Sequence, residues 1–295
     1  MDEVWIERLL GMAMFTLMFG MGLALTTTDF RRIAKNPRAT ILGTVLQLVV
    51  MPAIGIAIAH AFGLPAILAA GIVVVAAAPG GMFSNMFVHL ARGHTALSIT
   101  LTATATLVTL FTLPLWLRFA MASFSAEGTQ PIEMPVIATA LRLGTLTVLP
   151  VAVGMLVRRR WPSAVTYERR LSTTGAIAIG IAVFLQGSQR PELPVEAFVE
   201  SLLPALAFAI AAIVVGVTVP MLFRIPARDA VTIAVELIVK NTLLGLVLVG
   251  QVLEFEAALP IFAFSIFQTP GGILLLAGWR LLEKHGAIVG SAEAT

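Results

Sequence analysis

Two ionisable residues interrupt an apolar stretch of the sequence, AVELIVKNTLLG, at residues 234–245. Glu236 and Lys240 are four residues apart with the acid first, the order that brings two such side chains together on one face of a helix. A charge in the middle of a membrane helix costs about 2.5–3.5 kcal/mol, and residues of this kind usually mark a path for an ion or a substrate. The spacing predicts an ion pair at a functional site, followed directly by the amide of Asn241.

A second unusual stretch, APGGMFSN, lies at residues 78–85 within another apolar run. Pro79 removes a helix hydrogen bond, and Gly80 and Gly81 permit non-helical backbone. We therefore predict that the helix breaks here. Broken helix ends offer partial charges to ions, and in a membrane they are tolerated only inside protein or beside a water-filled cavity.

Side chains with oxygen atoms cluster around this predicted break. Ser84 and Asn85 follow it directly, and in the next apolar run Ser98 and Thr102 are one helical turn apart on a shared face. Adding 161 to the number of Pro79 gives Lys240, so the two polar clusters occupy matching places in the two halves of the chain. We expect the two interrupted segments to cross and the oxygen atoms to surround Glu236.

Each pattern also has a purely structural interpretation. Pro79 could only kink a helix, Ser and Thr commonly pack membrane helices together, and a charged pair could simply lock two helices. Gln47, central in its apolar run, is either a further site residue or a packing residue. An intramembrane enzyme could use Ser84 with Lys240 or Glu236 as its base, but the sequence has no nucleophile elbow, paired aspartates or HExxH motif.

Composition defines the class of protein that contains these residues. Of 295 residues, 58% are hydrophobic and 12% are charged, against roughly 25% charged in soluble domains. Almost every apolar run reaches the ~20 residues that a helix needs to cross a membrane. The sequence therefore predicts an all-α integral membrane protein, and the scattered basic residues, without interleaved aromatic residues, argue against a nucleic-acid partner.

Apolar runs and turn signals predict nine transmembrane helices in one transmembrane domain spanning residues 1–295. Most of the 19 Lys and Arg residues fall in alternate loops, which the positive-inside rule assigns to the cytoplasm. We therefore expect the N-terminus outside and the C-terminus in the cytoplasm. The predicted helices lie near 4–26, 39–61, 66–91, 94–119, 133–157, 171–187, 200–222, 228–251 and 257–282.

A short internal repeat relates the two halves. FGLPA at residues 62–66 recurs as FRIPA at 223–227, and each copy opens a long span. The predicted topology places the two copies on opposite sides of the membrane, so the halves, about 1–119 and 133–284, form an inverted repeat. Inverted repeats with two crossing discontinuous helices are common in secondary transporters. The first half has one span fewer than the second.

Three motifs resemble those of the bile acid:sodium symporter (BASS) family, in particular of its bacterial members. They are FGMGLALTTTDF near the start, APGGMFSNMFVHLARGHTALSITLT, and VELIVKNTLLG in the second half. The likeness extends over essentially the whole chain. It implies an inverted-repeat transporter for bile acids or small organic acids, usually driven by two sodium ions. The family's full form has ten spans, and some members have nine.

The resemblance also implies roles for individual residues. The first sodium site falls on Ser84, Asn85, Ser98, Thr102 and Glu236. The second falls on Gln47, Glu236, the carbonyls of Leu237 and Val239, and a family Gln position at which this chain has Lys240. An ammonium group there would repel a second cation and could take its place. The expected substrate-binding residues are Met82, Phe83, Asn241, Gln268 and Thr269.

These observations predict a symporter that moves a small organic acid anion by alternating access. Sodium at one site is the expected ion, with altered or reduced coupling because of Lys240. Membrane lipid is the other expected partner, and the location is the cytoplasmic membrane if the source is bacterial. The alternative is sodium-independent or proton-linked transport, in which Glu236 and Lys240 exchange a proton.

Overall fold

The computed structural model describes residues 3–27, 37–81, 83–124, 136–189 and 194–284, which are mostly helical. Short 3₁₀ helices, Pro162–Tyr167 and Phe255–Ala258, precede the seventh and eleventh α-helices. A π-helical turn, Leu46–Val50, interrupts the second. We number the helices α1 Glu3–Ala24, α2 Pro37–Ala61, α3 Ala66–Ala77, α4 Ser84–Leu90, α5 Thr95–Phe124, α6 Val136–Arg160, α7 Glu168–Ser188, α8 Val195–Leu222, α9 Ala227–Ile238, α10 Thr242–Val252 and α11 Leu259–Lys284.

Four helical segments of the described residues are long and apolar enough to cross a membrane individually. They are Pro37–Ala61, Pro162–Ser188, Val195–Leu222 and Phe255–Lys284, and α5 adds a fifth if its halves, bent by 58°, form one span. The bounds of the predicted runs agree with the observed helices, taking α3–α4 and α9–α10 as pairs, to within five residues. The count of nine spans stays a prediction, because α1, α6 and the shorter helices do not individually meet the combined requirements of length and apolar composition.

Besides the buried apolar core, many large apolar side chains remain exposed along the helices. Phe111, Ile137, Phe184 and Leu222 are between 68% and 79% exposed. A water-soluble domain rarely leaves so many apolar groups uncovered, whereas lipid solvates them. The exposed surfaces and the apolar helices identify an integral, multi-pass membrane protein.

The helices pack in two groups. In the first, α1 packs against both α6 and α7; in the second, α8 packs against α9 and α11, and α3 packs against α5. Helix α10 contacts α1 and α7 of the first group as well as α3 and α11 of the second. The interrupted helices belong to the second group.

Two helical runs are interrupted, and their interruptions meet. Helix α3 ends at Ala77 and α9 ends at Ile238, and the residues that follow pair as an isolated antiparallel bridge between Gly80 and Lys240. The Gly81 amide donates to the Val239 carbonyl at 2.7 Å, and the Asn241 amide donates to the Pro79 carbonyl at 2.9 Å. Backbone groups left free by each broken helix are therefore satisfied by the other, as burial requires.

The FGLPA and FRIPA stretches have matching backbone geometry. Gly63 and Arg224, which are 161 residues apart, both have left-handed φ angles, 63° and 53°. The amide of each donates to a carbonyl three residues earlier, and the following residue's amide donates to one five residues earlier. Helices α3 and α9, which follow, are both 12 residues long with the same offset. These matches support the predicted repeat; its inverted arrangement remains a prediction.

Candidate functional site

Glu236, on the last turn of α9, is fully buried and surrounded by hydroxyl groups from the first half of the chain. Its Oε1 atom lies 2.7 Å from Ser84 Oγ and 2.5 Å from Ser98 Oγ, and its Oε2 atom accepts from Thr102 Oγ1 at 2.8 Å. Ser84 begins α4, whereas Ser98 and Thr102 are on successive turns of α5. Three elements thus converge on one carboxylate.

The cluster contains more hydrogen-bond acceptors than its serine protons can satisfy. Ser84 Oγ lies 2.7 Å from the Gly81 carbonyl as well as from Glu236, and Ser98 Oγ lies 2.7 Å from Asn85 Oδ1 as well as from Glu236. Each hydroxyl has one proton to donate, so each can satisfy only one of its two acceptors. A set of oxygen atoms with surplus lone pairs and a negative charge suits a hard cation.

Gly80 and Gly81 allow the interrupted segments to approach so closely. A Cβ atom on Gly80 would overlap the Glu236 carboxylate, and one on Gly81 would lie 2.8 Å from the Lys240 carbonyl oxygen. Both sites are therefore too close to neighbouring atoms for a side chain. The glycines bring Glu236 beside the end of α3 as well as breaking the helix.

The predicted ion pair between Glu236 and Lys240 is wrong. The Lys240 ammonium instead donates to the carbonyls of Ala78 at 3.0 Å and Ala76 at 3.3 Å, and within the described part of the chain no salt bridge joins it to Glu236. The four-residue spacing pairs two side chains only on a continuous helix. Helix α9 ends at Ile238, so Lys240 leaves the helix and reaches the C-terminal end of α3, where the helix dipole is negative.

The residues predicted for a second cation site lie near Glu236 but have other contacts. Gln47 is fully buried in the π-helical turn; its Nε2 lies 3.5 Å from the Glu236 carbonyl oxygen, and its Oε1 has no hydrogen-bond partner. The Val239 carbonyl accepts from Gly81, and Leu237 is buried within α9. A buried amide oxygen without a partner is unusual and is available to a ligand or a cation.

The predicted substrate-binding residues lie in two places. Asn241 caps α10, where its Oδ1 accepts from the Leu244 amide at 3.1 Å. Gln268 Nε2 donates at 3.3 Å to Oγ1 of Thr242, the residue that follows Asn241. Thr269 is exposed beside Gln268. Phe83 is 59% exposed and lines a separate cavity. Met82 lies outside the described residues.

This cavity has a volume of about 1160 Å³ and opens between the two groups of helices. Its walls are mostly apolar side chains of α1, α5, α6 and α7. Asn85 and Thr102, which belong to the oxygen cluster around Glu236, also line it, and Glu168 and Arg169 are the charged residues in the described part of its lining. Ligand sites are typically apolar pockets of this kind with a few convergent polar groups. Arg169 was not among the site residues predicted from the sequence, because only tertiary packing brings it to the cavity.

His94 and Asp229, neither of which was predicted as a site residue, form a further polar contact. His94 Nδ1 lies 2.8 Å from Asp229 Oδ1, and the His94 amide donates to Thr232 Oγ1 at 2.7 Å. The spacing in the sequence could have indicated this contact: His94, directly before α5, precedes Ser98 by four residues, and Asp229 precedes Glu236 by two turns on α9. Residues at intervals of four and seven lie on the same face of a helix, so both pairs of polar groups can meet at one helix contact.

Interrupted helices that meet at a buried polar cluster, beside a cavity between two groups of helices, are typical of secondary transporters. Comparison with known proteins gives the family. The chain belongs to the Sodium Bile acid symporter family, whose model matches residues 11–196. Members of this family are sodium-dependent membrane transporters rather than enzymes.

Several relatives are similar over nearly the whole chain. The uncharacterized sodium-dependent transporter YocS of Bacillus subtilis is 28% identical over 296 residues, covering 95% of this chain and 85% of that protein. The human ileal sodium/bile acid cotransporter is 26% identical over 290 residues, covering 96% and 82%. The probable chloroplastic sodium/metabolite cotransporter BASS2 of Oryza sativa subsp. japonica is 28% identical over 283 residues, covering 94% of this chain and 65% of that protein.

Proposed function

We propose that this chain is a symporter that couples movement of an organic acid anion to a sodium ion bound beside Glu236. The observation on which this rests is the oxygen cluster: a buried carboxylate contacted by three hydroxyl groups, with more acceptors than the serine protons can satisfy. The sodium-dependent transporters among its relatives support the choice of ion. Sodium is the co-transported ion here.

The proposed sodium ligands are oxygen atoms from both interrupted segments and from α5. They are Ser84, Asn85, Ser98, Thr102 and Glu236, and hard cations prefer such ligands. The ion would neutralise the charge of the buried carboxylate, and it would also contact the acceptor oxygens that the serine protons leave unsatisfied. Because the ligands come from separate helices, bound sodium would link α4, α5 and α9.

We propose that Lys240 takes the place of a second cation. Its ammonium is buried and donates to two carbonyls at the end of α3. A buried ammonium on a residue of the predicted second site disfavours a mobile cation there. The transporter would then be coupled to fewer sodium ions than a relative with two sites.

We propose that transport proceeds by alternating access in a fold of nine spans with two inverted repeats. The matching geometry of the FGLPA and FRIPA stretches and of α3 and α9 supports the repeat. The cavity between the helix groups would be the access route on one side of the membrane, which the positive-inside rule assigns to the cytoplasm. Movement of the α1–α6–α7 group against the other would open the opposite side.

The substrate in this proposal is an organic acid that passes the meeting point of the interrupted helices. Asn241 and Gln268, with Thr269 nearby, offer polar contacts beside the start of α10. Phe83 contributes an aromatic wall to the cavity. Met82 stays a proposed substrate contact on the basis of its family position alone.

Uptake of radiolabelled organic acids into proteoliposomes, with and without a sodium gradient, tests the proposal. Wild-type protein should require sodium, and Lys240→Gln should bind a second sodium ion, which raises the Hill coefficient for sodium. The matched control is Lys284→Gln, which removes an exposed ammonium at the end of α11. An unchanged sodium response in Lys240→Gln would contradict the role of Lys240.

The same vesicles distinguish the proton-linked alternative. Glu236 and Lys240 have separate hydrogen-bond partners, so direct proton exchange between them would need a rearrangement. Uptake driven by a pH gradient without sodium would favour that alternative. Uptake that requires sodium and does not change with the pH gradient would exclude the proton-linked alternative.

A further inference from the structure

Among the described residues that line the cavity between the helix groups, one is basic, Arg169 in the first turn of α7. Its acidic lining residue, Glu168, lies 3.2 Å from Ser172 Oγ, one turn further along the same helix. Arg169 is exposed and forms no salt bridge within the described part of the chain. Its guanidinium is therefore free to bind an anion.

The neighbouring arginines differ from Arg169 in their surroundings. Arg158, at the end of α6, donates to the carbonyls of Leu23 at 2.7 Å and Ala24 at 2.6 Å. It therefore caps the C-terminal end of α1. Arg170 is exposed but does not line the cavity. Of these three basic residues, only Arg169 combines a free guanidinium with a place in the cavity wall.

The first turn of α7 is fixed in position against α1. A Cβ atom on Gly20 would lie 2.5 Å from Ser172 Oγ and 3.2 Å from the Glu168 carbonyl oxygen, so the two backbones are nearly in contact there. This close packing places the backbone of Arg169 at a defined point of the cavity rim. A long side chain on a fixed backbone can reach a ligand without movement of the helix.

The other lining residues define what kind of anion would fit. Apart from Arg169, Glu168, Asn85 and three threonines, the described lining residues are apolar, with Met21, Leu25, Ile99, Leu107, Val148 and Met155 among them. Apolar walls stabilise the apolar body of a ligand because contact removes its surface from water. Arginine binds carboxylates by two parallel hydrogen bonds.

We propose that Arg169 is a specificity-determining residue that binds the carboxylate of an amphipathic monoanion whose apolar body lies on the cavity walls. This rests on the proposed transport function, because it assigns the substrate's charged group to a named side chain. It also explains how a cavity with few polar groups selects an acid over an uncharged molecule of the same shape. Sodium binding at Glu236 is separate from this contact.

The test compares purified wild-type, Arg169→Gln, Arg169→Lys and Arg170→Gln proteins by thermal stability in detergent. The probes are straight-chain carboxylates of four to ten carbons and their primary amides, each titrated with saturating sodium. We expect carboxylates to raise the melting temperature of wild type and Arg170→Gln, with at least a tenfold weaker midpoint in Arg169→Gln and an intermediate value in Arg169→Lys. The amides should bind all four proteins equally.

Equal effects of Arg169→Gln and Arg170→Gln would overturn the proposal, because general surface charge would then explain the binding. Carboxylates that fail to stabilise wild-type protein would overturn it as well. Stabilisation by sodium alone, measured in all four proteins, reports on the cation site independently. If sodium stabilised all four proteins but carboxylates stabilised none of them, the role of Arg169 would be refuted while the cation site stayed in place.

Discussion

The carboxylate of Glu236 lies against the Cα atom of Gly80, so that any side chain on residue 80 would overlap it. The two residues belong to different interrupted segments, which the Gly80–Lys240 bridge joins through their backbones. This contact fixes the distance between the buried acid and the end of α3. Because of this contact, even Gly80→Ala, the smallest possible substitution, tests how closely the two segments approach.

Gly80→Ala should lower the free energy of unfolding by about 1–3 kcal/mol, the usual cost of forcing an extra methyl group into a packed site. The carboxylate must move to make room, so sodium-dependent stabilisation should weaken as well. Thermal unfolding in detergent, with and without sodium, measures both effects. The control is Gly180→Ala in α7, where nothing lies within 4 Å of the added Cβ and the change should be neutral or slightly stabilising. Equal melting temperatures for the two variants would contradict the close contact.

Thr102→Val should weaken sodium binding more than Thr106→Val. The two threonines are one turn apart on α5 and are equally buried, at 5% exposure. Thr102 Oγ1 contacts the Glu236 carboxylate, whereas Thr106 Oγ1 donates to the Thr102 carbonyl of its own helix. Hydrogen bonds to charged groups contribute about 1.5–3 kcal/mol, so a loss of roughly tenfold or more in sodium affinity is expected for Thr102→Val alone. Titrations that follow the melting temperature against sodium concentration would show the difference. Equal losses of sodium affinity in both variants would contradict the role of Thr102 as a sodium ligand.

Glu236→Gln separates the charge of the cluster from its hydrogen bonds. The amide is nearly the same size as the carboxylate and can still contact Ser84, Ser98 and Thr102, so the protein should fold. Without the negative charge, stabilisation by sodium and sodium-driven uptake should both be lost. Glu200→Gln, an exposed acid on α8, should leave both unchanged. A Glu236→Gln protein that still responds to sodium would show that the cation binds elsewhere.

Part of this site was predictable because its residues have strong local effects. Pro79 with two glycines breaks a helix in any context, and a carboxylate in an apolar run needs polar partners wherever it lies. The position of Ser84 and Asn85 after the break, and the one-turn spacing of Ser98 and Thr102, therefore indicated one oxygen cluster. The structure brings these residues together; their role as sodium ligands is the proposal above.

The position of Lys240 was not predictable from local pattern. Residues 236–244 contain neither proline nor glycine, so periodicity favours a continuous helix through Glu236 and Lys240. The helix ends because Val239 and Asn241 form backbone hydrogen bonds with Gly81 and Pro79, which are 158–162 residues away. Local sequence does not encode such a contact. The same limit applies to Arg169 and to Phe83, whose place in a cavity depends on how separate helices pack.

A double-mutant cycle at His94 and Asp229 should give a coupling energy of about 1 kcal/mol, the usual net contribution of a hydrogen bond. The pair joins the start of α5 to the start of α9, and both side chains are partly shielded, with 33% and 12% exposure. His94→Ala and Asp229→Ala should each lower the free energy of unfolding, and the double variant should lose less than the sum, because either change alone removes the contact. His89→Ala combined with Asp229→Ala is the control, since His89 is exposed on α4 and the two losses should add. Additive losses for His94 and Asp229 would mean that the contact does not stabilise the protein and that Thr232, which accepts from the His94 amide, fixes the two helix starts instead.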